Sequence, residues 1–440
     1  MGGSQPDALA SWNQRHRLLQ TVTDAERGVF NPNHCVIAFN VEGSLDLAAL
    51  DRAWRQLQLR HWVLLTSFGD DQQTWNLQQL AEPGALVVLA RKAEASVDAG
   101  TAHPALHDVA AQPFDLHRGP LARMAVLETG PQQYQACLAM EHLISDGWSY
   151  DVMLRDLRAL YAAETTGESA PLPDIAMTYP EYVAEQNAYL DTPAGRLARE
   201  RVGQMLSEVG VFPEVELRGF SGTCVRHERT ARFTGRVDPD LYGHLTPASK
   251  TTRMTRLNLV LAALHASLGE LSGRSIVGST MTTANRSSAR TRNTVGWFAS
   301  KVIVPSRPDE LNDLSAFLDS LSKGIIAAIG ASKVPWPTQI YDLARPSFGY
   351  QAAVPFVTFN AKPARMRTSI PDDLFAGASS QRIKLRIGWQ DAAIATYWDE
   401  HDGVDLAIDY KTDWYSCADV EVLWEHIVRH LKLLASAFAG

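Results

Sequence analysis

Apolar segments with strand-like and helix-like spacing alternate along the chain and predict a protein of mixed α/β type. Residues 34–41 are rich in apolar and β-branched side chains, which is typical of a buried strand. Apolar residues then recur at helical spacing at Leu47, Leu50, Trp54 and Leu57. Residues 121–127 and 134–140 have the pattern of two further strands, and the turn Gly130-Pro131 between them predicts an antiparallel hairpin.

A long helix is predicted directly after the hairpin. Ser149 is the expected N-cap of this helix, and Gly167 marks its expected end. Residues 179–209 also have a helical pattern, with an interruption at residues 193–195. We place a lobe boundary at this point, which gives an N-terminal lobe of residues 1–180 and a C-terminal lobe of residues 181–440.

The second half repeats the mixture of elements. It predicts helices at 258–271, 314–329 and 420–438 and strands at 275–279, 302–304, 354–359, 382–387 and 404–408. Strands, hairpins and helices in this mixture favour an α/β (α+β) two-layer sandwich over a doubly wound parallel sheet. Neither a GxGxxG segment nor a P-loop is present, so the two common nucleotide-binding motifs are excluded.

Composition and charge narrow the possible functions. The chain has 440 residues, of which 45% are hydrophobic and 20% charged, as in soluble globular proteins. Its net charge of −8 gives no support to nucleic-acid binding. The four cysteines form no CxxC pair, and no apolar run approaches the roughly 20 residues that span a bilayer. We therefore expect a cytoplasmic monomer that contacts neither membranes nor nucleic acids and holds no metal.

Segment 140–149 is the strongest candidate for chemistry. An apolar strand ends there, His142 follows, and Asp146-Gly147 leads into the predicted helix. This order places an imidazole beside a helix N-terminus, where backbone N–H groups are unpaired. A histidine in such a place can accept a proton from an amine or hydroxyl, and the N–H groups can stabilise an oxyanion. The pattern suits acyl transfer, although a single histidine after a strand can also be structural.

Six segments in order carry a family resemblance. Segments 113–123 and 141–147 resemble the condensation domains of nonribosomal peptide synthetases, whose signature is two histidines, three variable residues and Asp-Gly. The remaining matches to the motifs of that family are residues 11–18, 43–66 and 179–186, and Ala284-Asn285-Arg286 followed by Gly296-Trp297-Phe298. The family belongs to the chloramphenicol acetyltransferase-like superfamily, and the resemblance covers nearly the whole chain.

The resemblance implies two chloramphenicol-acetyltransferase-like lobes that form a V-shaped pseudo-dimer with a tunnel between them. His142 matches the catalytic histidine, and Gly147 leaves room for substrate beside its backbone N–H. Asp146 matches a structural aspartate that pairs with an arginine of the other lobe, here Arg286. A bidentate Arg–carboxylate bond between them would lock the turn.

The sequence departs from the family pattern at two of the expected site residues. Glu141 replaces the first histidine of the signature, and it should point away from His142 because successive residues of an extended chain face opposite sides. A buried carboxylate at this position needs a partner. Ser300 replaces an asparagine usual in the family. The expected substrate-tunnel residues are Trp148, Ser149, Trp297 and Ser300.

The implied function is that of a free-standing condensation enzyme in nonribosomal, antibiotic-type biosynthesis. It would transfer an acyl or aminoacyl group from the phosphopantetheine thioester of a carrier protein, acting in trans, to an amine that is free or carrier-bound. The chain itself would bind no cofactor. The alternatives are an ester-forming enzyme with a hydroxyl acceptor, a small-molecule acyltransferase that uses CoA, and a non-catalytic recruitment domain.

Overall fold

The computed structural model describes most of the chain. The described residues are 8–26, 33–69, 76–79, 82–89, 100–209, 230–338, 357–362, 370–385, 394–401, 403–412 and 415–438. They form two compact units. Unit 1 comprises Met1–Tyr189, Ala284–Ala299 and Thr368–Trp389, and unit 2 comprises Leu190–Thr283, Ser300–Arg367 and Gln390–Gly440.

The division differs from a simple split of the chain. The first unit ends at Tyr189, near the predicted boundary at residue 180, but two later segments return to it. Residues 284–299, which carry Arg286, and residues 368–389 therefore belong with the first unit, although the sequence assigns them to the C-terminal lobe. Short returning segments have no signature of their own in the hydrophobic pattern, because their partners are distant in sequence.

Strands and helices are interspersed throughout the described part of the chain. The strands are β1 Ala8–Leu9, β2 His34–Gly43, β3 Thr66–Phe68, β4 Asn76–Gln79, β5 Val87–Leu89, β6 Ala122–Gly130, β7 Gln133–Glu141, β8 Thr230–Val237, β9 Val277–Thr283, β10 Ser300–Ser306, β11 Val357–Lys362, β12 Ala378–Ile383, β13 Ile394–His401 and β14 Gly403–Lys411. The helices are α1 Trp12–Glu26, α2 Leu47–Arg60, α3 Pro104–Ala111, α4 Gly147–Thr166, α5 Tyr179–Leu190, α6 Pro193–Val209, α7 Pro239–Gly243, α8 Thr246–Thr252, α9 Arg256–Ser272, α10 Leu314–Gly330 and α11 Cys417–Ala437.

Unit 1 is built on a five-stranded sheet of order β12-β2-β7-β6-β5. The predicted hairpin is confirmed as the antiparallel pair β6–β7. Alternate residues of β2 face opposite sides, as a strand requires. Phe39 packs with the apolar residues of α2 and α4, whereas Ala38 packs with those of α3. Strand β7, which ends in Glu141, lies between β2 and β6 in this sheet, and its apolar residues are buried.

Unit 2 contains a six-stranded sheet of order β10-β9-β11-β13-β14-β8. Strand β11 runs parallel to β9 and β13, and the other neighbouring pairs are antiparallel. Apolar residues of α9, α10 and α11 pack on this sheet. The mixed sheet with a helical layer confirms the α/β sandwich and excludes a doubly wound parallel sheet.

Some elements lie at positions other than the predicted ones. The strand predicted at 382–387 lies instead at Ala378–Ile383, where it pairs with β2. Residues 386–387 of this prediction lie outside the described residues, as do residues 354–356 of the strand predicted at 354–359. Strand β12 is a serine-containing edge strand without apolar alternation, so its limits follow from pairing alone. The helical pattern of 179–209 is interrupted, but the predicted position of the break at 193–195 is wrong: α5 ends at Leu190, and residues 193–195 form the first turn of α6, which begins at Pro193.

A buried histidine in unit 2 illustrates how burial controls protonation. The His265 ring lies between the hydroxyls of Ser306 and Ser279, at 2.7 Å from Nδ1 and 2.8 Å from Nε2. Burial lowers the pKa of His265 to about 3. The unfolded chain therefore binds a proton near pH 6.5, which the folded unit does not accept until much lower pH.

This difference predicts that acidification from pH 6.5 towards pH 3 weakens unit 2 through His265. In His265→Gln the difference in unfolding free energy between about pH 7 and pH 5 should shrink, as urea denaturation can measure. His107→Gln, at an exposed position, is the control and should behave as the parent protein. An unchanged pH dependence in His265→Gln would contradict the assignment.

Candidate active site

The segment that follows β7 brings His142 to the end of the sheet of unit 1. A 3₁₀ turn covers His142–Ile144, and α4 starts at Gly147. The backbone N–H of His142 donates to Asn33 O at 2.9 Å, and Gln14 Nε2 donates to Leu143 O at 2.7 Å. The turn is therefore held both from the residue that precedes β2 and from α1, which fixes the position of the imidazole.

Asp146, not Ser149, is the N-cap of α4. Asp146 Oδ1 accepts from the backbone N–H and the hydroxyl of Ser149, both at 2.9 Å. The Asp146 N–H donates back to Ser149 Oγ at 3.4 Å, which completes a capping box. The prediction of Ser149 as N-cap is wrong because the helix begins three residues earlier, where a carboxylate also interacts favourably with the helix dipole.

The Asp146 carboxylate is buried and paired with Arg286. Arg286 Nη2 lies 3.1 Å from Oδ1 and 3.3 Å from Oδ2. The side chains are 1% and 2% exposed. Both residues belong to unit 1, so the expectation of an arginine from the other lobe is corrected. The predicted pairing is present within one compact unit.

The geometry of this pair is not the predicted bidentate fork. A single nitrogen of Arg286 contacts both carboxylate oxygens, because Nη1 donates instead to Thr291 O and Thr294 O, each at 2.7 Å. The guanidinium also lies over the Phe298 ring, 3.9 Å from its centre. Arg286 therefore joins the carboxylate to the loop that carries the Gly296-Trp297-Phe298 motif.

The same carboxylate fixes that loop directly. Asp146 Oδ2 accepts from the backbone N–H groups of Phe298 and Ala299, both at 3.1 Å. Tyr179 OH donates to Trp297 O at 2.9 Å, and a Cβ added at Gly296 would lie 2.3 Å from the Tyr179 ring. These contacts bring the Trp297 ring against His142, with ring centres 4.4 Å apart. The loop thus forms one wall beside the imidazole.

The His142 ring has properties suited to proton transfer. It is partly buried, and burial lowers the pKa of His142 below its ordinary value. Its Nδ1 atom is itself buried and has no hydrogen-bond partner among the described residues. A neutral imidazole with a ring nitrogen left unengaged by the described chain can accept a proton near neutral pH.

Glu141 has the partner that a buried carboxylate at this position requires. Its Oε1 lies 3.6 Å from Arg17 Nε, and its Oε2 lies 3.6 Å from His34 Nε2. Burial raises the pKa of Glu141 to about 7, although Arg17 opposes the shift. Sequence reasoning missed Arg17 and His34; the only signal was the need of Glu141 for a partner.

The predicted tunnel residues have different surroundings. Trp148 is half-buried and donates from Nε1 to Arg292 O at 3.0 Å. Ser149 is fully buried, and its Oγ also lies 3.0 Å from Gly296 O, so it contacts both the turn and the loop of Gly296. Ser300 is buried at the start of β10 and belongs to unit 2. That Trp148, Ser149, Trp297 and Ser300 line a substrate passage stays a prediction.

Gly147 is the exposed first residue of α4. A Cβ added there would meet no atom within 4 Å. This free space agrees with the expected role of Gly147 in admitting a substrate, which stays a prediction. Among the described residues, no three His, Cys, Asp or Glu side chains are grouped so that they could hold a metal ion. Within the same residues, no helix has the length and apolar content needed to cross a membrane.

Comparisons with known proteins agree on one family and one fold. The family model described as Condensation domain matches residues 11–438. Malpibaldin synthetase of Mortierella alpina is 27% identical over 351 residues, which are 78% of this chain and only 6% of that protein. The chain thus spans a small part of the length of such curated relatives.

Two solved structures are similar over nearly the whole chain. The X-domain from teicoplanin biosynthesis has a TM-score of 0.85 at 19% identity and covers 99% of this chain and 96% of its own; it has also been solved in complex with OxyB. The first condensation domain of the calcium-dependent antibiotic synthetase, with a substrate analogue, has a TM-score of 0.75 at 17% identity and covers 100% and 98%. These identities show that the fold is shared.

The buried pair predicts a specific loss of stability. Asp146→Ala removes the partner of a buried guanidinium and should cost about 3–5 kcal/mol of unfolding free energy. We expect the melting temperature to fall by roughly 10 °C, measured by calorimetry. Asp373→Ala is the matched control, since Asp373 pairs with Arg158 at the surface and should cost at most about 1 kcal/mol. Equal melting temperatures for the two variants would rule out a bracing role for Asp146.

The two motif glycines should respond oppositely to an added methyl group. Gly296→Ala forces a methyl into the Tyr179 ring and should destabilise the fold by about 1–3 kcal/mol. Gly147→Ala adds a methyl to open space at a helix start and should leave stability equal or slightly higher. Chemical denaturation of both variants measures the contrast, and a Gly147→Ala variant as unstable as Gly296→Ala would show that the space beside Gly147 is filled.

Proposed function

Because the chain belongs to the Condensation domain family, we propose that it is an acyltransferase that forms an amide bond, with His142 at its catalytic centre. The donor is an acyl or aminoacyl thioester on the phosphopantetheine arm of a carrier protein, presented in trans. The acceptor is an amine, free or carrier-bound. The observation that carries the proposal is an imidazole at the end of β7 that burial keeps in its neutral form and that lies against the Trp297 ring.

The reaction joins the acceptor nitrogen to the thioester carbonyl carbon and breaks the carbon–sulfur bond. The attacking amine acquires a positive charge, and His142 accepts the excess proton, which then passes to the departing thiolate. The products are an amide and the free phosphopantetheine thiol, so atoms and charge balance. A neutral imidazole performs this role better than an imidazolium, and burial favours the neutral form.

Positioning supplies the other part of the proposed catalysis. The turn that carries His142 is held by Gln14 and Asn33, and the Trp297 ring limits the movement of the imidazole. Such rigidity matters because well-oriented reacting groups avoid much of the entropic cost of their encounter. Gly147 contributes by leaving open the side of the helix start nearest the turn, where a substrate carbonyl can approach.

A non-catalytic recruitment domain is the second candidate function. Two observations favour it: Glu141 stands where the family signature has a histidine, and a neighbour in structure, the X-domain, has been solved in complex with OxyB. In this alternative the chain binds a carrier or partner enzyme without forming product. The other two alternatives, an ester-forming enzyme and an acyltransferase that uses acyl-CoA, assign the same role to His142. They differ from the proposed reaction only in the acceptor or in the donor.

The test pairs carrier-loaded acyl donors and acyl-CoA donors with candidate amines and alcohols, and detects products by mass spectrometry. His142→Ala should reduce product formation at least about 100-fold, because a general base contributes 10²–10⁴-fold. The melting temperature should stay near that of the parent protein, and the exposed His107→Ala variant should keep full activity.

Undiminished turnover by a folded His142→Ala variant would refute the catalytic assignment. Binding of a carrier protein or partner enzyme with no product from any donor would favour recruitment instead. A faster reaction with acyl-CoA than with carrier-bound donors would show that acyl-CoA is the donor, and it would leave the proposed role of His142 unchanged.

A further inference from the structure

The residue that precedes His142 belongs to a buried charge pair. Glu141 ends β7 and precedes His142, and Arg17 on α1 lies 3.6 Å from its Oε1. Both side chains are only 5% exposed, so water screens their charges weakly. The same helix supports the turn through Gln14 and Leu143. Arg17 and Glu141 are therefore placed to act on His142 electrostatically without touching a substrate.

The neighbouring titratable groups limit which residue supplies the positive charge. The groups that face this region from the packed elements are Arg17 on α1, His34 and Cys35 on β2, Arg123 on β6, Glu141 and His142, and Asp146 at the start of α4. Asp146 is paired with Arg286. Burial raises the pKa of Cys35 to about 12 and lowers that of His34 to about 4, so both are neutral near pH 7. Arg123 donates to Val109 O and Gln112 O, whereas Arg17 lies 3.6 Å from Glu141, so Arg17 is the cation paired with this carboxyl.

The hydrogen bonds of His34 indicate a proton on Glu141 for part of the time. His34 Nδ1 donates to Ala110 O at 2.8 Å, which leaves Nε2 as an acceptor in the neutral ring. This acceptor faces Glu141 Oε2 at 3.6 Å. Two acceptors at this distance repel each other unless a proton lies on one of them. Arg17 favours the ionised carboxylate, whereas His34 and burial favour the protonated one.

We propose that Arg17 and Glu141 are positioning residues that set the protonation of His142. The charge of Arg17 disfavours a second positive charge on the imidazole and keeps it able to accept a proton. Glu141 offsets Arg17 when it is ionised and ceases to do so when it takes up a proton. This inference rests on the proposed function for its catalytic meaning, but the charge coupling itself exists with or without turnover.

The coupling gives the site a defined response to pH. As the pH falls through about 7, Glu141 takes up a proton and no longer balances Arg17. The remaining positive charge then opposes protonation of His142 in the range where an ordinary histidine would titrate. The imidazole consequently stays neutral further into the acidic range than burial alone would allow.

The test measures the titration of His142 by NMR of its ring nuclei in the full chain. The His142→Ala spectrum identifies its signals among those of the 13 histidines. The variants are Arg17→Gln, Arg17→Lys, Glu141→Gln and the double variant Arg17→Gln/Glu141→Gln. Arg15→Gln is the matched control, because it removes an arginine from the same helix without removing the partner of Glu141.

Arg17→Gln should move the His142 midpoint to higher pH by about 0.5 unit or more, as expected for a nearby charge in a buried site. Arg17→Lys should restore the parent midpoint. The parent protein should show a further inflection of the His142 signals near pH 7, which Glu141→Gln should abolish. Arg15→Gln should move the midpoint by less than half as much as Arg17→Gln.

An unmoved midpoint in folded Arg17→Gln, or an equal shift in Arg15→Gln, would overturn the inference. If Arg17→Gln fails to fold, the double variant provides the test, since it leaves no unpaired carboxylate. The His142 midpoint in the double variant must then lie at higher pH than in Glu141→Gln. Expected shifts without turnover by the parent protein would refute the proposed function alone. If the parent protein is active and Arg17→Gln leaves the acidic limb of the pH–activity profile unchanged, this inference alone would be refuted.

Discussion

The buried Asp146 carboxylate is the interaction on which the rest of the site depends. Its two oxygens accept from the Ser149 backbone and hydroxyl, from Arg286, and from the backbone of Phe298 and Ala299. A carboxylate removed from water is tolerated only when such donors and a counter-charge replace its hydration. The charge therefore requires the start of α4 and the loop that carries Trp297 to adopt one mutual arrangement within unit 1.

The charge of Glu141, the residue before His142, is controlled in a different way from that of Asp146. Around Asp146 the donors are numerous and lie at 2.9–3.3 Å, so the position of the carboxylate is fixed. Around Glu141 the contacts to Arg17 and His34 are longer, at 3.6 Å each, and burial raises the pKa of the carboxyl to about 7. A group that changes protonation near neutral pH can transmit that change to its neighbour. One carboxylate thus holds the geometry, and the other is poised to modify the basicity of His142.

The sequence predicts much of this arrangement because the motif residues are local. The strand, histidine and Asp-Gly turn lie within ten residues, and the hairpin before them consists of two largely apolar segments joined by a turn. It could not predict Arg17 or His34 beside Glu141, since their proximity arises only when α1 and β2 pack against β7. Nor could it predict that Arg286 uses one nitrogen for Asp146, because the carbonyls of Thr291 and Thr294 that occupy the other belong to a loop without periodicity. Strand β8 was not predicted for a similar reason, as its partner β14 lies far along the chain; β13 was also missed, although it pairs with β14, the next strand in sequence.

The replacement of the first motif histidine by Glu141 weighs less against catalysis than its chemistry suggests. Its side chain faces Arg17 on α1 and His34 on β2, whereas the ring of His142 contacts Trp297. A residue on that side can alter the charge next to the imidazole but cannot occupy the position of a substrate. Because Arg17 is present to balance the carboxylate, the substitution retains a compact and supported turn. The proposed base therefore remains His142, and a Cβ added at Gly147 would meet no atom within 4 Å.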